Sequence, residues 1–101
     1  MEQFNGLFKV IAKAPILGRQ RGKFFFENKE GSVAGTVTFM RNEVEMTDIV
    51  INGNEFTAVA EAPSPMGPVR LDITGAIDGD KISGVMKSNV GDMTFEGEKE
   101  A

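Results

Sequence analysis

The side chains that this sequence offers for chemistry are carboxylates, lysines and arginines. It contains no histidine, cysteine, tyrosine or tryptophan, so imidazole bases, thiolate nucleophiles and disulfides are excluded. A zinc ion would have to be held by carboxylates alone, which is unusual. We therefore expect no metal centre, no cofactor and no nucleophilic active site, and the chain is not expected to be an enzyme.

Two acidic groups are the remaining candidates for catalysis or metal binding. Glu45 and Asp48 are close in sequence, but in a regular strand they face opposite sides of the sheet. The segment DGD at 78–80 matches the start of a calcium loop, but the later glutamate of that motif is absent, and DGDK fits a tight hairpin turn. A catalyst without a nucleophile, such as an isomerase or cyclase, would need Asp48, Asp72 or a lysine buried inside the fold.

Basic residues and apolar turn residues concentrate at one end of the predicted fold. The connection APILGRQRG, residues 14–22, combines two apolar residues with two arginines, and later turns carry further apolar residues. Arginine binds carboxylate and phosphate groups through paired hydrogen bonds. This end is predicted to bind a small apolar or amphipathic anionic ligand, although ordinary solvated surface charge would give the same pattern. The predicted ligand-binding residues are Ile16, Leu17, Arg19, Arg21, Arg41, Met66, Lys87 and Val90.

Composition limits the possible partners and the cellular location. The chain has 101 residues and a net charge of −4, which argues against nucleic acid. No apolar run is long enough for a membrane-spanning helix, and the N-terminus does not resemble a signal peptide. We expect a single soluble domain over residues 1–101. The absence of cysteine is consistent with the cytoplasm.

Short alternating segments separated by turn residues predict an all-β fold. The segment 69–74, VRLDIT, alternates most clearly between apolar and polar residues. Regular spacing of such segments is typical of a barrel or a sandwich. The eight predicted strands are Gly6–Lys13, Gly22–Asn28, Ser32–Met40, Glu43–Ile51, Glu55–Ala62, Pro68–Ile77, Lys81–Ser88 and Gly91–Glu98.

An internal repeat indicates how these strands are connected. FKVIAKAP at Phe8 aligns with FTAVAEAP at Phe56, and GSVAGTV at Gly31 aligns with GDKISGVM at Gly79. A hairpin used four times gives a meander, in which odd-numbered connections lie at one end and even-numbered connections at the other. The even connections are rich in Asn, Asp and Gly, as tight turns require. The odd ones, including KAPILG and EAPSPMG, form the opposite rim.

The repeat also predicts which side chains point inward. Gly35 and Gly84 are predicted to occupy inward positions, where a small residue permits close approach. In strand four the run Ile49–Ile51 breaks the alternation, which is typical of a bulge. The predicted interior of the barrel comprises Phe8, Val10, Phe24, Phe26, Phe39, Met46, Phe56, Leu71, Met86 and Phe95.

This arrangement of eight meandering strands around an apolar interior resembles the lipocalin-like, or calycin, barrels. The hairpins of the type G-x-(I/V)-x-G-x-(V/M) and the terminal GDMTFEGEKE also resemble small bacterial barrel proteins of uncharacterised function. The resemblance covers residues 4–98 and implies an up-and-down barrel that binds a small apolar ligand. The lipocalin G-x-W motif and C-terminal helix are absent, so the family's ligand residues are not carried over.

Three functional hypotheses follow. The first is a binding module with a small ligand at the mouth. The second is a barrel filled by its own side chains that acts as a protein-interaction or self-associating module. The third is the isomerase or cyclase without a nucleophile. An eight-stranded barrel is wide enough for either a packed interior or one small ligand, so a filled and a hollow barrel both remain open at this stage.

Overall fold

The fold is described by a computed structural model that covers residues 5–14, 18–30, 32–39, 42–63, 67–88 and 91–100. Eight antiparallel strands form a closed barrel in which each strand pairs with its neighbours in sequence and β1 pairs with β8. The predicted all-β, eight-stranded up-and-down barrel is therefore confirmed. The strands are β1 Gly6–Ala14, β2 Gly18–Lys29, β3 Ser32–Phe39, β4 Asn42–Asn52, β5 Glu55–Ala62, β6 Val69–Asp78, β7 Lys81–Lys87 and β8 Met93–Lys99.

Strand β2 begins earlier than the sequence predicted. It starts at Gly18 rather than at Gly22, and the pairs Ala14–Gly18 and Lys13–Arg19 continue the β1–β2 ladder towards the turn. The predicted long loop is wrong, because only residues 15–17 separate the two strands. The segment RQR lacks apolar residues, so the sequence did not indicate a strand there. In the structure Arg19 and Arg21 point outward and only Gln20 points inward.

The predicted irregularity in β4 is present as a shift in register. Thr47 pairs with Val59 and Val50 pairs with Thr57, so the ladder to β5 is interrupted between Thr47 and Val50. Asp48 lies within this interruption and has a φ of 52°. Because non-glycine residues rarely adopt positive φ, this bulge is a locally strained part of the wall.

The barrel interior is packed with phenylalanine rings. Phe24 stacks on Phe95 with ring centroids 4.7 Å apart, and Phe26 makes an edge-to-face contact with Phe56 at 5.3 Å. These contacts join β2 to β8 and β2 to β5, so the rings cross the lumen. On β5 the inward positions next to Phe56 carry small side chains, among them Ala58. The phenylalanine rings fill the space that these small side chains leave.

The predicted interior residues point inward in the observed register. Nine of them are buried and Phe39 is half-buried. Gly35 and Gly84 occupy inward positions opposite Met46 and Phe95, respectively. Among the described residues, no polar or charged side chain is buried.

The barrel mouth as a candidate binding site

Hydrogen bonds and a lysine side chain cover part of one end of the barrel. This is the end where the even-numbered connections, β2–β3, β4–β5 and β6–β7, lie. There the Glu100 N–H donates to the Leu7 carbonyl over 2.8 Å, and the Lys99 N–H donates to the Asp80 carbonyl over 2.6 Å. Lys99 itself is half-buried at an inward position, and its Cε lies so close to Gly6 that a β-carbon there would be 2.8 Å away. The apolar stem of Lys99 therefore covers this end while its charge remains near water.

The opposite end, which we call the mouth, leaves apolar side chains partly exposed. Eight described apolar residues pack against the core without being fully buried, and five of them lie at strand ends next to the odd connections. These five mouth residues are Phe39, Val44, Ala62, Val69 and Met93. They hold inward register positions, and part of each side chain remains exposed. Apolar surface left in water there is available for a ligand to cover.

A layer of aromatic and aliphatic side chains closes the mouth from below. Phe24 is fully buried, and Phe39 packs on it edge-to-face with centroids 6.3 Å apart. Phe95 and Met86 are also buried in this half of the barrel. The mouth therefore ends on this apolar layer, and we call the space above the layer the cup.

Neutral polar groups occupy further inward positions at this end. Gln20 lies opposite Ala12 and is half-buried, while Asn42 begins β4 opposite Phe39. The Ser88 hydroxyl donates to the Gly91 carbonyl over 2.7 Å and shapes the connection between β7 and β8. Amide and hydroxyl groups at the edge of an apolar cup can orient a bound molecule by hydrogen bonding.

Three of the eight predicted ligand-binding residues fall within the described part of the chain. Arg19, Arg21 and Lys87 are exposed and lie at outward register positions, not inside the mouth. Arg19 is directly opposite Lys13 at the mouth end of the β1–β2 hairpin. The other five predicted positions lie outside the described residues: Ile16, Leu17, Arg41, Met66 and Val90.

The carboxylates considered for catalysis lie on the surface of the barrel. Asp48 and Asp72 are exposed, and Asp72 accepts a hydrogen bond from the Arg70 guanidinium over 3.2 Å. Neither is the buried carboxylate that an isomerase or cyclase would need. No cluster of acidic side chains capable of holding a metal ion is found in the described segments. The described part of the chain also contains no helix long and apolar enough to cross a membrane.

Two grooves on the outer wall were not predicted from the sequence. The first, which we call the basic groove, has a volume of about 700 Å³ and is lined by Lys9, Val10, Ile11, Arg21, Gly22, Lys23, Thr38 and Phe39. The second, the acidic groove, has a volume of about 320 Å³ and is lined by Phe25, Glu27, Ala34, Gly35, Thr36, Glu43 and Glu45. Alternation indicates which residues face outward, but the register is needed to show which of them are neighbours.

Structural comparison places the chain among small β-barrels. It is similar to a redesigned β-barrel with a TM-score of 0.72 and 10% identity, covering 99% of this chain and 94% of the other. It is also similar to the redesigned β-barrel mFAP1, solved bound to DFHBI, with a TM-score of 0.70 and 13% identity, covering 97% and 96%.

A third similar structure is secretory abundant heat soluble protein 4 from Ramazzottius varieornatus. Its TM-score is 0.60 at 12% identity, and the match covers 100% of this chain and 97% of that one. No family model and no curated protein matches the sequence. At these identities the comparisons show a shared fold, and the resemblance to lipocalins extends only to the antiparallel barrel.

Proposed function

We propose that this protein binds a small apolar or amphipathic molecule at the mouth, with its apolar part in the cup and any anionic group at the rim. The observation that carries the proposal is the ring of five mouth residues, which point into the barrel yet stay partly exposed. A similar barrel, mFAP1, was solved bound to DFHBI, which supports small-molecule binding by this fold.

The packed lumen restricts the size of the ligand. Phe24 and Phe95 stack below the cup, so a ligand would rest on their layer instead of entering the barrel. Ala62 and Val69 pair directly at the rim, where they give one side of the cup a low wall. A molecule of one or two fused rings, or a short acyl chain, is the chemical class that fits the cup.

The rim supplies positive charge for an anionic group. Lys13 and Arg19 lie directly opposite each other, and like charges in that arrangement repel. An anion between the two side chains would relieve this repulsion. Both are exposed, so water screens the interaction, and we expect only a modest gain in affinity from it.

The packed lumen also favours a second function, that of an interaction module. A barrel filled by its own side chains needs no ligand for stability, and its contacts with other molecules would then lie on the outer wall. The two charged grooves are the surfaces that support this alternative, and the basic groove shares Phe39 with the mouth.

The mouth is tested with a pair of dyes that differ in charge. Anilinonaphthalene sulfonate (ANS) is anionic and N-phenyl-1-naphthylamine (NPN) is its neutral analogue. Dye fluorescence is easily read because the chain has no tryptophan or tyrosine. We expect both dyes to bind with one saturable site per chain. Ala62→Phe fills the cup and should weaken both at least tenfold.

The matched control is Ala76→Phe, which adds the same ring at a half-buried outward position on β6. It should leave binding of both dyes unchanged. Arg19→Ala should weaken ANS about two- to fivefold, the range for an exposed charge pair, without affecting NPN. The proposal fails if NPN does not saturate, or if Ala62→Phe and Ala76→Phe have the same effect while both remain folded by circular dichroism.

A further inference from the structure

The basic and acidic grooves lie side by side on one face of the barrel. The basic groove extends over β1–β3 and the acidic groove over β2–β4, so they share β2 and β3. Lys23 pairs with Thr38, and Thr38 pairs with Glu43 on the next strand. Neighbouring strands are about 4.8 Å apart, which puts the backbones of Lys23 and Glu43 about 10 Å apart.

Each groove gathers one sign of charge. Lys9 and Lys23 are directly opposite each other, and no carboxylate lines the basic groove, although Lys9 also pairs with Glu100 over 3.1 Å at its edge. The acidic groove is lined by Glu27, Glu43 and Glu45 and by no cation, although Glu27 also pairs with Lys29 over 3.5 Å outside the lining. Like charges held this close are unfavourable unless a partner of opposite charge approaches them.

Each groove also contains one large apolar side chain that is unusually exposed. Ile11 is 39% exposed in the basic groove and Phe25 is 42% exposed in the acidic groove. An apolar side chain surrounded by charge of one sign is a common feature of surfaces that bind a complementary protein.

We propose that the outer wall of β1–β4 binds a second copy of this chain in a two-fold symmetric dimer. A two-fold axis lying in the interface between the grooves places each basic groove against the acidic groove of the other copy. In such a symmetric interface every contact occurs twice, because residue i of each copy contacts residue j of the other copy. Three cations then face three carboxylates on each side of the axis.

The same wall thus provides both halves of the interface, which is why a second copy fits better than an unrelated partner. Lys23 and Glu43 lie in the same row of the sheet, so an axis along the strands between the grooves places Lys23 of each copy against Glu43 of the other. Phe25 lies on β2 between the two charged groups and is buried close to the axis. Each chain carries a net charge of −4, so the dimer depends on local complementarity against a weak overall repulsion.

The test uses charge reversal with rescue. Sedimentation velocity over a concentration series at low salt should show a monomer–dimer equilibrium. Lys23→Glu and Glu43→Lys should each lower the association constant at least tenfold. An equimolar mixture of the two variants should dimerise again, since each changed residue then faces an opposite charge and the two unchanged residues still face each other.

Lys81→Glu and Glu61→Lys serve as controls, because they make the same charge changes at exposed positions on β7 and β5. They should leave the association constant within about twofold. A protein that is monomeric at every concentration overturns the proposal, as does a dimer that survives both reversals or a mixture that does not reassociate. NPN binding at the mouth should be the same in all variants, because the substituted side chains are exposed and lie at outward positions.

Discussion

Replacing Phe24 by alanine is the most direct test of the packed lumen. The side chain is 0% exposed, and its ring stacks on Phe95 at 4.7 Å and lies 6.2 Å from Phe26. An aromatic side chain buries about 150–250 Å², which is worth roughly 4–6 kcal/mol at about 25 cal/mol/Å², and alanine retains part of this burial. With the retained burial and the cavity left behind both included, the expected loss of unfolding free energy is about 3–5 kcal/mol.

The adjacent residue provides the control for this prediction. Phe25 has the same side chain on the same strand but points outward and is 42% exposed, so Phe25→Ala should cost about 1 kcal/mol or less. Urea unfolding followed by far-ultraviolet circular dichroism measures both, because the chain has no tryptophan to report by fluorescence. Dilute protein in about 0.5 M salt keeps the proposed dimer dissociated. A loss for Phe24→Ala no larger than that for Phe25→Ala would refute the packed lumen.

Three backbone positions give further predictions that the same urea titration checks. Gly97→Ala should lower the unfolding free energy by about 3 kcal/mol or more. The added β-carbon would meet the Lys9 carbonyl oxygen and lie 2.6 Å from the Val10 Cα. An unchanged urea midpoint would contradict the close approach of β8 to β1. Glu30→Asn should raise the unfolding free energy by about 0.5–1 kcal/mol, because Glu30 has a φ of 47° in the β2–β3 turn and asparagine tolerates that conformation better. Asp48→Val should lower the unfolding free energy by about 1–2 kcal/mol, whereas Asp48→Gly should leave it unchanged or raise it, because Asp48 has a φ of 52° at the bulge. Equal effects of the two substitutions would show that this positive φ is not a source of strain.

Much of the barrel can be predicted from alternation and repetition. Phe8 and Phe56 align in the internal repeat, and both are buried. The aliphatic run Ile49–Ile51 indicated the bulge, which the register of β4 and β5 confirms. The start of β2 was not predictable in this way, because an Arg-Gln-Arg sequence that extends a hairpin has the same composition as a solvated loop. Only the pairing of Gly18 with Ala14 distinguishes the two.

The binding site at the odd connections stays a prediction, and the structure adds the strand register around it. Five of the eight described apolar residues that are partly buried lie at strand ends beside those connections. The arginines were predicted to serve one site, but Arg19 lies at the rim and Arg21 lies in the basic groove. The separation of Arg19 from Arg21 between the two sites depends on how β1, β2 and β3 pair, and this pairing cannot be deduced from the sequence of one strand. The grooves themselves depend on residues from three strands each and leave no signal in the local sequence.

The mouth site is tested most directly by nuclear magnetic resonance of isotope-labelled protein titrated with NPN. The account predicts that the largest amide shifts occur around the cup, at Gln20, Val44, Ala62, Val69 and Met93, and that they saturate together. Residues at the covered end, such as Asn54 and Asp80, should not move. Shifts confined to the outer wall of β1–β4, or no saturable shifts at all, would contradict ligand binding at the mouth and leave the outer wall as the functional surface.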